Sequence, residues 1–136
     1  MKDNLELEWT EVKFETAINR LTGTALRGSL RQAERVPAGA KFKNSEILFS
    51  ILEEDDKDLL KKVFEAMELL EHDYLGGMGS RGYGRVAFTD VEVYWNKKDN
   101  YESGDIDLKP ERKINNGFDT PSQLVANFAE IRAKFT

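Results

Sequence analysis

Apolar and polar residues alternate from Trp9 to Glu15, with Val12 and Phe14 on one face, and this alternation predicts a short strand. The stretch from Ile18 to Phe42 reads differently. It is rich in Thr, Gly and Arg, is interrupted by Gly23, Gly28, Pro37 and Gly39, and holds few large apolar groups. It has the character of an extended hairpin or protruding loop that leaves the core. Ser45 to Glu53 is a nearly continuous apolar run (Ile47, Leu48, Phe49, Ile51, Leu52), the pattern of a strand covered on both faces.

Asp55 and Asp56 stand where a helix N-terminus needs an acceptor, and Asp58 in the first turn suits the positive end of the dipole. Leu59, Leu60, Val63, Phe64, Met67, Leu70 and Tyr74 keep the three- and four-residue spacing of one helical face, so the helix buries that face and stops at Gly76-Gly77. Val86, Phe88, Val91, Val93 and Trp95 then describe another strand, whose alternation skips one residue at Thr89-Asp90, a bulge or turn. Asn96 to Gly117 is polar and lacks a period, as a linker or loose loop does. Thr120-Pro121-Ser122-Gln123 combines an N-cap, a first-turn proline and a capping-box glutamine. Leu124, Phe128, Ile131 and Phe135 form the narrow stripe of the helix that follows, which docks on this domain or on a partner.

The order strand, amphipathic helix, glycine loop, strand predicts an α+β fold, half of a ferredoxin-like (RRM-like) sandwich. The domain plan is a first region over 1–95, containing the hairpin at 18–42 and the glycine loop at 76–86. A polar linker over 96–119 and a C-terminal helix over 120–136 follow. Half a sandwich leaves sheet edges and apolar faces exposed, which predicts self-association or dependence on a partner chain.

Composition narrows the function classes. With 136 residues, 40% hydrophobic and 33% charged, the chain has the make-up of one globular domain. No apolar run approaches the ~20 residues that span a bilayer, and the charged start, Met1 to Glu8, lacks the apolar core of a secretory signal. The absence of cysteine excludes disulfides and thiolate chemistry and fits a cytoplasmic location. A single histidine, His72, supports neither a histidine metal site nor a catalytic triad; late in the helix, its imidazole suits the dipole. The net charge of -5 hides a strong asymmetry. Residues 11–43 hold seven Lys/Arg against three Glu, a balance of +4, and residues 46–73 hold ten Asp/Glu against three Lys, a balance of -7. Local charge decides where an anion docks, so the N-terminal stretch is the candidate nucleic-acid surface. The acidic run lacks a calcium-loop pattern and reads as a solvated face.

Gly77-x-Gly79-x-x-Gly82 satisfies the dinucleotide-binding pattern, but that loop must follow a strand and open a helix, and this one does the reverse. A Walker A reading lacks its Gly-Lys-Ser/Thr. Arg81 to Phe88 matches the RNA-recognition pattern except at Arg85, yet a long helix precedes it and no second motif accompanies it. The chemistry outlasts both patterns. Gly79 and Gly82 let a backbone approach, Arg81 and Arg85 bring charge, Ser80 a hydroxyl and Tyr83 a ring, a set suited to a sugar-phosphate chain of any sequence. The alternative is a helix-to-strand connection whose glycines only make a tight turn.

The run Leu69 to Val86 (Leu-Leu-Glu-His-Asp-Tyr-Leu-Gly-Gly-Met-Gly-Ser-Arg-Gly-Tyr-Gly-Arg-Val) is joined in order by Thr10 to Glu15, Ile18-Asn19-Arg20 and Arg31 to Gly39. Together, over about residues 9 to 95, they resemble the repeat-associated mysterious protein (RAMP) superfamily of CRISPR effector subunits, and most closely the backbone subunit of type III-A (Csm) complexes. The resemblance implies a ferredoxin-like core whose copies stack along a CRISPR RNA in the cytoplasm, with other effector subunits and a target RNA as partners. It also implies a hairpin thumb that bends the guide-target duplex. The thumb falls on 18–42, where Arg20, Arg27, Arg31, Arg35 and Lys41 would neutralise phosphates. Between the hairpin segments the family usually has Ala-Asn-Pro-Arg-Gln, where this chain has Ala25 to Gln32 (Ala-Leu-Arg-Gly-Ser-Leu-Arg-Gln). The N-terminal half of the family pattern, with its catalytic aspartate, is absent. Full-length members cleave target RNA with a divalent metal; this chain is expected to have no catalytic residue, metal ligand or cofactor of its own and not to cut RNA by itself.

Overall fold

A computed structural model describes residues 10–135 and divides the chain into two compact units, one ending at Ile47 and one beginning at Leu48. Together the described residues make a small α+β arrangement of one two-stranded antiparallel hairpin and several helices.

In the first unit, β1 (Glu11–Glu15) pairs with β2 (Arg31–Arg35). The alternation around Val12 and Phe14 is therefore one leg of the hairpin itself; Trp9 lies outside the described residues. Register sets Glu11 opposite Arg35 and Glu15 opposite Arg31, so the odd-numbered side chains share one face. Glu11 pairs with Arg35, and Arg31 Nε lies 3.2 Å from Glu15 Oε2. Beyond the ladder, Ile18 and Ala25 form a further bridge. The Asn19 and Leu26 N–H groups donate to Thr24 and Ala17 carbonyls at 2.8 and 2.7 Å. Ser29 clasps the neck: its hydroxyl donates to the Leu26 carbonyl at 2.6 Å and accepts the Ala17 N–H at 3.0 Å.

The second unit is organised by α1 (Asp56–His72). Asp55 holds the N-cap position but makes no side-chain cap hydrogen bond, and Asp56, the first helical residue, reaches back to the chain before the helix. Asp56 Oδ2 accepts the N–H groups of Leu52 (2.8 Å) and Glu53 (2.9 Å), which hold its carboxyl below the usual carboxylate range. The helix ends at His72, four residues before Gly76, so Tyr74 belongs to the loop. Leu60 and Phe64 are buried, with Val63 and Met67 beside them, whereas Leu59 is exposed.

The apolar stripe of the C-terminus supplies the other half of this core. Leu124, Phe128, Ile131 and Phe135 are all buried, and Phe128 meets Phe64 edge-on at 6.2 Å between centroids. The single helix expected here is two, α3 (Pro121–Ala126) and α4 (Phe128–Arg132), after a short α2 (Lys98–Glu102) earlier in the chain. They break at Asn127, whose Nδ2 donates to the Gln123 carbonyl at 2.9 Å and so competes with the helical backbone pattern. The stripe survives the break because its four-, three- and four-residue steps keep the same side facing α1. Arg132 fastens the pair from outside, its Nη2 3.2 Å from Asp58 Oδ2.

Two expected strands do not form. Residues 45–53 enter no ladder: Phe49 and Ile51 pack on the core, but Leu48 and Leu52 stay exposed. An apolar run signals burial, whereas a strand needs a second strand beside it to take its backbone groups, and none pairs with this run among the described residues. Residues 86–95 likewise form a single bridge, Tyr94 to Lys113. The kink at Asp90 (φ 57°) matches the skipped alternation. Past it, the N–H groups of Val91 and Trp95 donate to the Asp119 and Arg112 carbonyls, both at 2.9 Å, but between them the Val93 N–H goes to the Asn115 side chain. A carboxamide thus stands where backbone pairing would continue. The segment 96–119 is tied in through Asn115 and through the Arg112 carbonyl, and is braced within itself by the Arg112 side chain, which bonds Asp105 Oδ2 at 2.7 Å.

Candidate nucleic-acid interface

The hairpin sorts its cations by position. Arg31 and Arg35 lie on the ladder, each engaged by the glutamate across from it, with Lys13 Nζ 3.8 Å from Glu15 as well. Arg20 lies in the 19–24 turn and Arg27 in the 26–29 turn; both are exposed, and no ion pair or side-chain hydrogen bond among the described residues involves either. Lys41 is exposed beyond the hairpin, in irregular chain. Positive φ at Gly23 (70°) and Gly28 (77°), with open space around each, lets the two turns close within so few residues. Two features of this surface were missed in the sequence. Glu11 and Glu15 act as counter-charges, a role signalled only by their alternation on one strand face. Leu21 is 97% exposed at the end of the hairpin.

The glycine loop is ordered by its own backbone. A 3-10 turn at Gly79–Arg81 is entered through Met78 in the left-handed region (φ 63°) and closed by the Gly82 N–H donating to the Gly79 carbonyl at 2.9 Å. The Leu75 N–H donates to the Gly84 carbonyl at 2.8 Å, and the Phe88 N–H reaches Glu71 on α1 at 2.6 Å, drawing both ends of the loop together. Two of the glycines are demanded by close approach within the chain. A Cβ on Gly79 would fall inside the Tyr74 ring, and one on Gly84 would strike the Leu75 carbonyl. The others look onto open space.

This loop and the end of α1 enclose a surface cleft of about 450 Å³. Gly79, Ser80, Gly82, Tyr83 and Arg85 line it together with His72, Asp73 and Tyr74; Arg81 does not. Tyr83 is buried and forms its wall, while Arg85 and Ser80 are exposed. His72 Nδ1 lies 2.8 Å from the Glu68 carbonyl, which orients the ring at the helix end. The cleft therefore offers a guanidinium, a hydroxyl, an imidazole edge and one carboxylate residue. No group of three or more His, Cys, Asp or Glu side chains able to hold a metal ion occurs among the described residues.

Residues 7–87 match the RAMP superfamily. The chain is 43% identical over 119 residues to the CRISPR system Cms endoribonuclease Csm3 of Methanocaldococcus jannaschii, covering 88% of this chain and 48% of that protein. The Csm3 proteins of Methanothermobacter thermautotrophicus and Mycobacterium tuberculosis are 42% and 44% identical over 87 and 109 residues, covering 64% and 68% of this chain and 34% and 45% of those proteins. The chain spans about half or less of the length of these relatives. It belongs to the RAMP superfamily and is similar to that family's Csm3 proteins.

Proposed function

We propose that this chain is the C-terminal half of a type III CRISPR effector backbone subunit, part of a ferredoxin-like domain, that binds CRISPR RNA through its phosphates within a cytoplasmic ribonucleoprotein serving antiviral defence. The observation that carries the reading is the ordered hairpin, whose surface presents Arg20, Arg27, Arg31 and Arg35, in a family whose relatives here are named CRISPR endoribonucleases. Lys41 extends the basic stretch, and the glycine-loop cleft, with Ser80 and Arg85, suits a sugar-phosphate backbone. Guide and target RNA and the other effector subunits are the partners. The chain alone does not cleave RNA; cleavage, with its divalent metal, belongs to the longer protein. Mixing with the family's other half and assaying target cleavage tests whether a second chain can restore it. Metal-dependent RNase activity from the purified chain, surviving hairpin Arg→Ala changes, would count against the proposal.

A second reading, a protein-assembly module with incidental RNA contact, is favoured by the exposed Leu48 (76%), Leu52 (88%) and Leu69 (70%) of the second unit. Size-exclusion chromatography and RNA binding together separate the two. Self-association without salt-sensitive RNA binding selects the assembly module, and salt-sensitive binding selects the RNA reading. No helix among the described residues is long and apolar enough to cross a membrane.

A further inference from the structure

The basic hairpin is not uniformly basic once the register is known. The ladder residues, 11–15 and 31–35, carry Lys13, Arg31 and Arg35 against Glu11, Glu15 and Glu34, and so have no net charge. Two of those glutamates face the two arginines directly across the ladder and hold them in ion pairs. A phosphate approaching Arg31 or Arg35 meets a carboxylate already in place, and must displace it while being repelled by it. Residues 16–30 differ in kind. They contain Arg20 and Arg27 and no Asp or Glu. The backbone that carries both arginines is held by the Ile18–Ala25 bridge, the Asn19–Thr24 and Ala17–Leu26 hydrogen bonds and the Ser29 clasp. Ordering of that scaffold lowers the entropy lost when a long cationic side chain takes a phosphate.

Resting on the RNA-binding reading above, we infer that the hairpin divides its arginines between two tasks. Arg20 and Arg27 are the phosphate-neutralising pair, and Arg31 and Arg35 are positioning residues. The latter two fix the strand register through Glu15 and Glu11 and contribute no phosphate contact. Cross-strand pairs of opposite charge stabilise one pairing against a slipped one, which would set Glu11 and Glu15 opposite uncharged or acidic neighbours. The register in turn decides where the two acid-free turns sit.

The experiment is the salt dependence of single-stranded RNA binding by the full chain, read as the slope of log affinity against log salt. Each phosphate contact on single-stranded nucleic acid contributes about 0.7 to that slope. Replacing Arg20 and Arg27 together by Ala should therefore flatten it by about 1.4. Because Arg31→Ala with Arg35→Ala could unfold the hairpin, the ladder is tested by inversion: Glu11→Arg and Arg35→Glu combined with Glu15→Arg and Arg31→Glu. Made together with Lys13→Gln, so that no third cation stands beside the new arginines, the inversion keeps both cross-strand ion pairs while moving each guanidinium to the opposite strand, and it should leave the slope equal to that of Lys13→Gln alone. A slope flatter than that of Lys13→Gln in the inverted ladder, or an unchanged slope in the Arg20/Arg27 variant, overturns the division while leaving RNA binding intact. Absence of RNA binding by the parent chain overturns the RNA reading, and the division falls with it.

Discussion

Replacing Gly79 by alanine tests whether the glycine loop is shaped by its own neighbours. The φ of Gly79 is not positive, so alanine is acceptable to the backbone, and the cost comes from the Tyr74 ring, whose Cγ, Cδ1 and Cε1 occupy the space of the new methyl. The ring must swing out. Tyr74 is 40% exposed, so of an aromatic side chain of about 200 Å² roughly 120 Å² is covered. At about 25 cal/mol per Å², exposing that area costs at most about 3 kcal/mol. Restricting the unfolded chain returns about 0.4–1 kcal/mol, leaving a net loss of about 2 kcal/mol. Urea unfolding followed by far-UV circular dichroism measures it, since every described helix lies in the unit beginning at Leu48. The decisive arm is the cycle with Tyr74→Ala. Once the ring is gone, Gly79→Ala should cost nothing and should stabilise slightly. An equal loss in both backgrounds, or no loss in the parent, would refute the argument. Gly84→Ala should be worse and beyond such rescue, because it combines φ of 79° with a backbone obstacle, the Leu75 carbonyl.

Asn115, 1% exposed, accepts the Val93 N–H at 2.8 Å and donates to the Val91 and Phe118 carbonyls at 2.7 and 2.6 Å. Asn115→Ala should cost about 3 kcal/mol in urea unfolding and speed hydrogen exchange at Val93, and Asn115→Asp should cost more because a carboxylate then faces two carbonyls. Lys109 first, and Arg112 with it, hold the Asp105 carboxyl below its ordinary value of 3.8. A depressed folded-state pKa means stability present above that ordinary value and lost as pH falls through the folded one. Thermal melts of Asp105→Asn should therefore lie below the parent at neutral pH and converge with it in strong acid; a constant gap across pH would contradict this.

Elements that depend on local spacing were legible in the sequence. The face of α1 follows from apolar residues three and four apart, and the C-terminal stripe from Leu124 to Phe135 was readable for the same reason, although Asn127 breaks its helix. Elements that depend on a distant partner were not. The run 45–53 has the hydrophobicity of a buried strand, but hydrophobicity carries no information about whether a neighbour is there to bond its backbone. Asn115 looked like one polar residue among many, since only the fold brings Val91, Val93 and Phe118 around it. In the candidate site, the sequence put the hairpin at 18–42, whereas its legs are 11–15 and 31–35, and it weighed Arg20, Arg27, Arg31, Arg35 and Lys41 alike. Separating Arg31 and Arg35 from Arg20 and Arg27 requires the strand register. Gly79, read as room for a ligand, is also room for Tyr74, a contact invisible until the chain folds back.

The proposed function requires that this chain hold RNA through its phosphates. Filter binding of the full chain to single-stranded RNA, at about 50 and about 200 mM salt, tests it most directly. RNA should bind at the lower salt, lose affinity steeply at the higher, and show no preference for base sequence. No binding at the lower salt, or an affinity that ignores salt, would contradict it.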